Sequence, residues 1–306
     1  MLLEELLQEL EAVEAKARGH KWGRLAFAPA RYVFALFFRT FIYPINKKGI
    51  VRKCTTFFGS KMEIVLPADL DIFLLKAKAP DAEVRLTRYL LKNLRKGDIF
   101  VDAGAHLGFY SLLASRITGP KGKVFSIEAS KAVFGVLKRN TQKHKNIRVF
   151  NLAVALKEDI LQFHEFPILY SEHNTIRPDR FSQSDWVKKN PPLKVKVEAN
   201  SLDAMLEDWM VHPDFIKIDV EGAQYDAIAG LKSCLEYCQP VIAMAYHARG
   251  RSNHAHNKAL KLLSTFGYYP HLIEQDGSLV RVENVDTQLL DRGLETDFIV
   301  LKQLSG

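Results

Sequence analysis

The chain has 306 residues, 47% of them hydrophobic and 25% charged, the composition of a folded globular protein rather than a disordered or fibrous one. Its net charge of +8 is unevenly placed: ten Lys and Arg and no Asp or Glu fall between Lys16 and Lys53, which leaves the rest slightly acidic and without a phosphate track for nucleic acid. The three cysteines, Cys54 alone and Cys234 and Cys238 four apart, lack the spacing of a zinc site or a disulfide framework and read as free thiols in a reducing compartment. Met1-Leu2-Leu3-Glu4-Glu5 has no basic n-region or uninterrupted apolar core, so a cytoplasmic location is expected.

Leu2 to Ala17 carries Leu3, Leu6, Leu7, Leu10 and Val13 at helical spacing among glutamates. The segment Trp22 to Lys53 interleaves Phe27, Tyr32, Phe34, Phe37, Phe38, Phe41 and Tyr43 with Arg24, Arg31 and Arg39. Its arginines and prolines interrupt any run of the roughly 20 apolar residues that a membrane span needs. Two readings remain for residues 16–53: an interfacial segment on an anionic membrane surface, or aromatics packed on the catalytic body or on a second subunit of a homodimer. Residues 1–54 are therefore assigned to a helical, basic and aromatic extension, residues 55–82 to a strand or hairpin lead-in, and residues 83–306 to the catalytic domain.

Helical spacing runs from Glu83 to Leu94, and Ile99-Phe100-Val101 is a short apolar run of buried-strand type. It breaks at Asp102 into Ala103-Gly104-Ala105 and resumes as a helix at Phe109, the way an open α/β sheet builds a ligand crevice. Gly104 allows close backbone approach of a ligand, and Gly108 allows close packing of the helix start. A dinucleotide site calls for G-x-G-x-x-G around a pyrophosphate. Here only Gly104 and Gly108 are present, behind an acid that suits a cationic ligand such as the ammonium and sulfonium of S-adenosylmethionine.

Further along, Lys123 to Glu128, Ile147 to Leu152, Phe215 to Gly222 and Pro240 to Tyr246 read as strands. They alternate with helices at Ala132 to His144, Ser201 to Trp209, Tyr225 to Leu235 and His256 to Phe266. That alternation predicts an α/β fold with a mostly parallel, doubly wound sheet. Tyr268 to Glu274 and Phe298 to Leu301 close it as an antiparallel hairpin. Ile160 to Phe166 and Leu193 to Ala199 are two more strands, and the polar stretch Pro167 to Pro192 between them reads as a lid or substrate loop.

Three strand ends carry acids: Asp102, Glu128, and Asp219 with Glu221. Parallel strands bring those ends to one edge of the sheet. An acid one βα unit after a glycine turn, as Glu128 is, can accept both hydroxyls of a ribose.

Val101 to Ser111, the strand ending in Glu128, Asn151-Leu152-Ala153-Val154, and Asp214 to Ala223 with its Lys-x-Asp-x-Glu-Gly together resemble the FkbM-type S-adenosylmethionine-dependent methyltransferases. The resemblance runs from about Glu83 to Leu301. It implies a Rossmann-like class I methyltransferase fold and O-methylation, most often of a sugar hydroxyl on a glycan or glycolipid, or of a small secondary metabolite. Carried over, Asp102, Gly104, Ala105 and Gly108 frame the methionine end of the cofactor, Glu128 holds the ribose, and Ala153 lies near the adenine. Asp219 and Glu221 stand between cofactor and acceptor. The chain departs from the family at Ala129 (commonly Pro), at Gln224 (commonly Glu), and at Ala245-Tyr246-His247, where an acid often precedes the aromatic residue or His.

An alkyl hydroxyl gains from a positioned base, and His247, Glu221 and His173 are the candidates, with Asp219 beside them. A metal is not expected, because Asp219 and Glu221 point to opposite faces if the strand continues through them; His254 and His256 have the same problem. A catalytically inactive scaffold of the same fold is the remaining reading, and the intact Asp102, Gly104, Gly108 and Glu128 argue against it.

Overall fold

In the computed structural model, which describes residues 3–18, 28–178, 185–248 and 253–303, the alternation of apolar runs and helices becomes one large sheet with helices on both faces. Numbered along the chain, the strands begin with β1 (Ile50–Thr55), β2 (Lys61–Leu66), β3 (Ile99–Ala103), β4 (Lys123–Ile127) and β5 (Ile147–Phe150). A short β6 (Ala153–Val154) leads to β7 (Asp159–Glu165) and β8 (Leu193–Asn200). The chain then supplies β9 (Phe215–Ile218), β10 (Val241–His247), β11 (Tyr268–Ile273), β12 (Leu279–Arg281) and β13 (Thr296–Gln303).

The main sheet has the order β12-β11-β13-β10-β9-β3-β4-β5. From β5 to β10 neighbours are parallel; β13, β11 and β12 are added antiparallel. The sheet therefore carries the expected antiparallel pair of β11 and β13, with β13 slotted beside β10 and β12 completing the edge. The chain winds from β3 outward to β5 and returns to the other side of β3 as β9. That reversal opens a crevice at the carboxyl ends of β3, β4 and β9. Central strands covered on both faces need apolar residues at successive positions. Phe100 on β3 joins the core beneath one layer of helices, with Leu112 and Leu113, while Val101 joins the other, with Ile216 and Ile228.

β6, β7 and β8 form a separate small sheet beside the crevice, with β7 and β8 antiparallel. The hairpin of β1 and β2 begins at Ile50, inside the stretch assigned to the extension. Helix Leu3–Arg18 packs onto the body: Leu6, Leu10 and Val13 share a core with Leu86 and Leu90 of helix Asp81–Asn93. The Arg88 guanidinium bonds the Glu14 carboxylate at 2.6 Å. Burial of these three side chains, at roughly 1.5–3 kcal/mol each, is what seats that helix. The expected helix Tyr225 to Leu235 is two, Gln224–Ala229 and Lys232–Tyr237. They break around Gly230, where a Cβ would lie 2.6 Å from the Ala155 carbonyl oxygen. Among the described residues no helix is long and apolar enough to cross a membrane. Residues 19–27 of the basic segment and 179–184 of the polar loop lie outside the described residues.

Candidate active site

The crevice is a cavity with two unlike halves. One half is built on the turn after β3. Gly104 has φ +80° and packs so closely that a Cβ would lie 2.0 Å from the Asp219 carbonyl oxygen, so only glycine lets the ends of β3 and β9 meet here. The turn's backbone amides are already used. Gly104 and Ala105 N–H donate to the Ile127 carbonyl, Gly108 N–H to the Ala105 carbonyl, and His106 N–H to Glu128 Oε2 at 2.9 Å. A pyrophosphate would find none of these four donors free.

Glu128, just past β4, is 8% exposed and lines the cavity. Its Oε1 accepts the Ser130 N–H at 2.9 Å. A carboxylate offers about four acceptor sites, so two bonds from the backbone fix its plane and leave room for two more donors. Burial pushes its pKa up to about 7, against the lowering effect of those two amides. Leu152, Ala153 and Val154 continue this wall with apolar side chains. His106 closes it with φ +49° and its Nε2 at 3.1 Å from Ser171 Oγ. Burial lowers the pKa of its imidazole to about 4, which keeps the ring neutral near pH 7.

The other half is polar. Lys217, in the middle of the fully buried β9, turns its side chain between Asp102 Oδ1 and the Gly104 carbonyl oxygen, both at 3.1 Å, with Asp219 Oδ2 at 3.6 Å. Burial works to lower its pKa, but the carboxylates of Asp102 and Asp219 prevail and raise it, so the ammonium stays charged. Lys78 behaves alike: burial is outweighed by Glu83 (3.0 Å) and Glu172 (3.4 Å). The Tyr110 hydroxyl donates to Glu83, and burial with that carboxylate holds the phenol well above its ordinary pKa. Asp297, also in the lining, pairs with Arg85 behind it at 2.6 Å, both buried.

The structure brings Gly104, Ala105, Glu128, Ala153, Asp219, Glu221, His247 and His173 to the lining of this one cavity. Asp219 and Glu221 converge because β9 stops at Ile218, so the alternation that would part them no longer applies. Two expected cofactor residues lie off the cavity lining. Asp102 is fully buried beneath the cavity, accepting from Ser111 Oγ at 2.7 Å and from Lys217; it reaches the site only through that lysine. Gly108 also lies off the cavity lining, and a Cβ there would come 2.7 Å from Leu137 Cδ1, so this glycine serves the packing of one helix on the next. His254 and His256 sit on helix Asn253–Thr265, outside the cavity lining. Among the described residues there is no cluster of His, Cys, Asp and Glu arranged to hold a metal ion.

Sequence reasoning missed Lys217, Lys78, Glu83, Tyr110, Arg85 and Asp297. Lys217 had a signal: a lone charge inside a four-residue apolar strand must find a buried partner. Lys78 and Glu83, in a loop and a helix start, had none.

The polar stretch after β7 roofs the cavity. Its short helix Ile168–His173 contributes Ser171, Glu172 and His173 to the lining, and the Thr175 hydroxyl donates to the Glu221 carbonyl.

A sequence model described as the Methyltransferase FkbM domain matches residues 102–270, more than half of the chain. "Methyltransferase 1" of Beauveria bassiana is 24% identical over 143 residues, covering 43% of this chain and 57% of that protein. "Methyltransferase sdnD" of Sordaria araneosa is 25% identical over 167 residues, covering 47% of this chain and 64% of that protein. The chain thus aligns with less than two thirds of either relative. Among solved structures, a Methyltransferase FkbM from Methylobacillus flagellatus is similar at 16% identity and a TM-score of 0.44, covering 77% of this chain and 52% of that one. The residues present fit the family's cofactor on their own chemistry: a buried carboxylate with unused acceptor sites faces the cavity, an apolar wall stands beside it, carboxylates mark the polar half, and the turn's amides are closed to phosphate. The chain belongs to the FkbM methyltransferase family, and its cofactor is S-adenosylmethionine.

Proposed function

We propose that the chain methylates a hydroxyl oxygen of a sugar carried on a glycan or glycolipid. The observation that supports this reading is the set of polar side chains, Glu172, Asn174, Thr175, Asp219, Glu221, His247 and Thr296, that line the cavity among apolar ones such as Phe163, Ile176 and Phe298. A polyhydroxylated ring needs many hydrogen-bonding groups to fix its orientation, whereas an apolar metabolite is held by apolar surface with few polar groups.

When bound, S-adenosylmethionine supplies a methyl group already activated by a sulfonium. What the chain adds is binding, alignment and proton removal. Glu128 takes the ribose hydroxyls on its free acceptor sites, Ala153 and its neighbours face the adenine, and Gly104 with Ala105 gives the methionine end access to the strand edge. Asp102 acts from below by holding Lys217, and Lys217 holds Asp219 at the boundary between the halves. Asp219 and Glu221 orient the acceptor, and His247, at the end of β10, accepts the hydroxyl proton. Alignment of this kind contributes up to roughly 7–11 kcal/mol in favourable cases.

A positioned base contributes about 10²–10⁴-fold, so His247→Gln should lower kcat by at least about 10²-fold with cofactor affinity unchanged. Steady-state kinetics beside calorimetric cofactor titration read the two separately, and an unchanged kcat removes His247 from the mechanism. The function itself is tested by incubating the full chain with tritium-labelled S-adenosylmethionine and a cell extract split into glycolipid, polysaccharide and small-molecule fractions. Label that enters the sugar-bearing fractions and survives alkali, as an ether does, is the expected result. Label confined to small apolar hydroxyl compounds replaces this reading with a small-molecule O-methyltransferase.

A further inference from the structure

Outside the cavity lies the helical stretch Pro29–Phe37, Phe38–Ile42 and Tyr43–Asn46, whose middle section is a π turn. One side of it is seated: Ala35, Phe38 and Tyr43 are buried in the core beside β1 and helix Leu70–Leu75. The other side is also apolar and faces solvent. Val33 is 59% exposed, Phe37 51%, Phe41 61% and Ile45 85%, spaced by four, and Leu36 beside them is 53% exposed. The Phe37 and Phe41 ring centroids lie 5.3 Å apart, so these side chains form a continuous strip. Scattered apolar residues on a surface are ordinary, but a strip built on one helical face marks an interaction site.

The charges around the strip identify what it meets. Arg39, Lys48 and Lys53 are exposed on the same segment and the hairpin that follows, beside Arg31, Lys47 and Arg52, which are exposed while contacting Phe73, Asn190 and Phe34, and no Asp or Glu occurs between Lys16 and Lys53. A second copy of the chain meeting this face across a two-fold axis would bring the same cations together. An anionic lipid surface complements both features at once: aromatic and aliphatic side chains enter the headgroup boundary while cations contact the headgroups.

We propose that this face docks the protein on an anionic bilayer surface. The seated side of the same stretch is joined to the cavity roof. The Leu169 N–H donates to the Tyr43 hydroxyl at 3.3 Å, and Gly49 packs so closely on Ile168 that a Cβ would come 3.1 Å from its Cγ2. Ile168 and Leu169 begin the short helix that carries Ser171, Glu172 and His173 into the cavity lining. The surface itself stands independently of the reaction.

The test is sedimentation of the full chain with vesicles of phosphatidylcholine, with and without phosphatidylglycerol. It is repeated with the variant Phe37→Ser/Phe41→Ser/Ile45→Ser, whose folding and cofactor site are monitored by thermal midpoint and S-adenosylhomocysteine binding. The expected result is pelleting with the anionic vesicles only, weakened by salt and weakened about tenfold or more by the triple variant, with S-adenosylhomocysteine binding intact. No pelleting with anionic vesicles at low salt, or pelleting equal for both proteins, overturns the proposal. So does a wild-type dimer that the triple variant dissociates, which would give the face to a second copy.

Discussion

Glu128→Ala is expected to weaken S-adenosylhomocysteine binding by about 10²–10⁴-fold in a calorimetric titration. The proposed role gives Glu128 two hydrogen bonds from ribose hydroxyls, and bonds to a charged group contribute about 1.5–3 kcal/mol each. Two such bonds correspond to at least two decades in affinity. The substitution also strips the acceptor from the His106 and Ser130 amides, so the thermal midpoint falls as well. Glu128→Gln, which keeps the shape, separates the two effects. The same residue gives the site a pH dependence. Burial raises its pKa to about 7, so the fold favours the protonated carboxyl. The stability this contributes is fully present below the unfolded value near pH 4 and is lost as pH rises through about 7. Ligand binding runs the other way. Two hydroxyl donors favour the carboxylate, so binding below about pH 7 must release a proton, and affinity rises with pH before levelling off above it. Glu128→Gln should remove this dependence. A wild-type affinity flat from pH 5 to pH 8 would mean that Glu128 does not meet the ribose.

Lys217→Met carries the largest expected cost to stability. It leaves the fully buried Asp102 carboxylate with only the Ser111 hydroxyl as a side-chain donor. Removing one partner of a buried pair costs about 3–5 kcal/mol, because the other charge stays uncompensated. For a chain of this length that lowers the midpoint by about 5–10 °C in scanning calorimetry. The double variant Asp102→Asn/Lys217→Met leaves no fully buried charge to compensate and should recover more than half of the loss. A single variant within about 1 kcal/mol of wild type would show that the ammonium does not balance Asp102. Activity falls in both variants, since Asp219 loses the cation 3.6 Å away.

The features legible in the sequence were those fixed by local pattern. The run Ile99 to Val101, the break at Gly104, and the acids ending β4 and β9 are encoded within a few residues of one another. Chain winding then brings them to one edge. The antiparallel pairing of β11 and β13 was visible for the same reason, as two apolar runs near the end of the chain. What stayed hidden depends on distant partners. Asp102 looks like a ligand contact until Lys217, 115 positions away, arrives to bury it. Gly108 looks like a cofactor glycine until Leu137 packs on it. Glu221 and Asp219 seem to diverge because the alternation rule holds only inside a strand, and the sequence Ile218-Asp219-Val220 continues the apolar–polar pattern beyond the point where pairing ends. The N-terminal helix shows its apolar face plainly, but the surface that receives it, on helix Asp81–Asn93, is another long-range pairing.

What the cavity binds decides which kind of site the glycine turn forms. Titrating the full chain in a calorimeter with S-adenosylmethionine, S-adenosylhomocysteine and NAD separates the readings of the glycine turn. One-to-one binding of the first two, with no heat from NAD, is the predicted result, because the amides of Gly104, Ala105, His106 and Gly108 are spent on protein oxygens and Glu128 lines the cavity with acceptor sites still open. Binding of NAD in their place, or of none of the three, would contradict it.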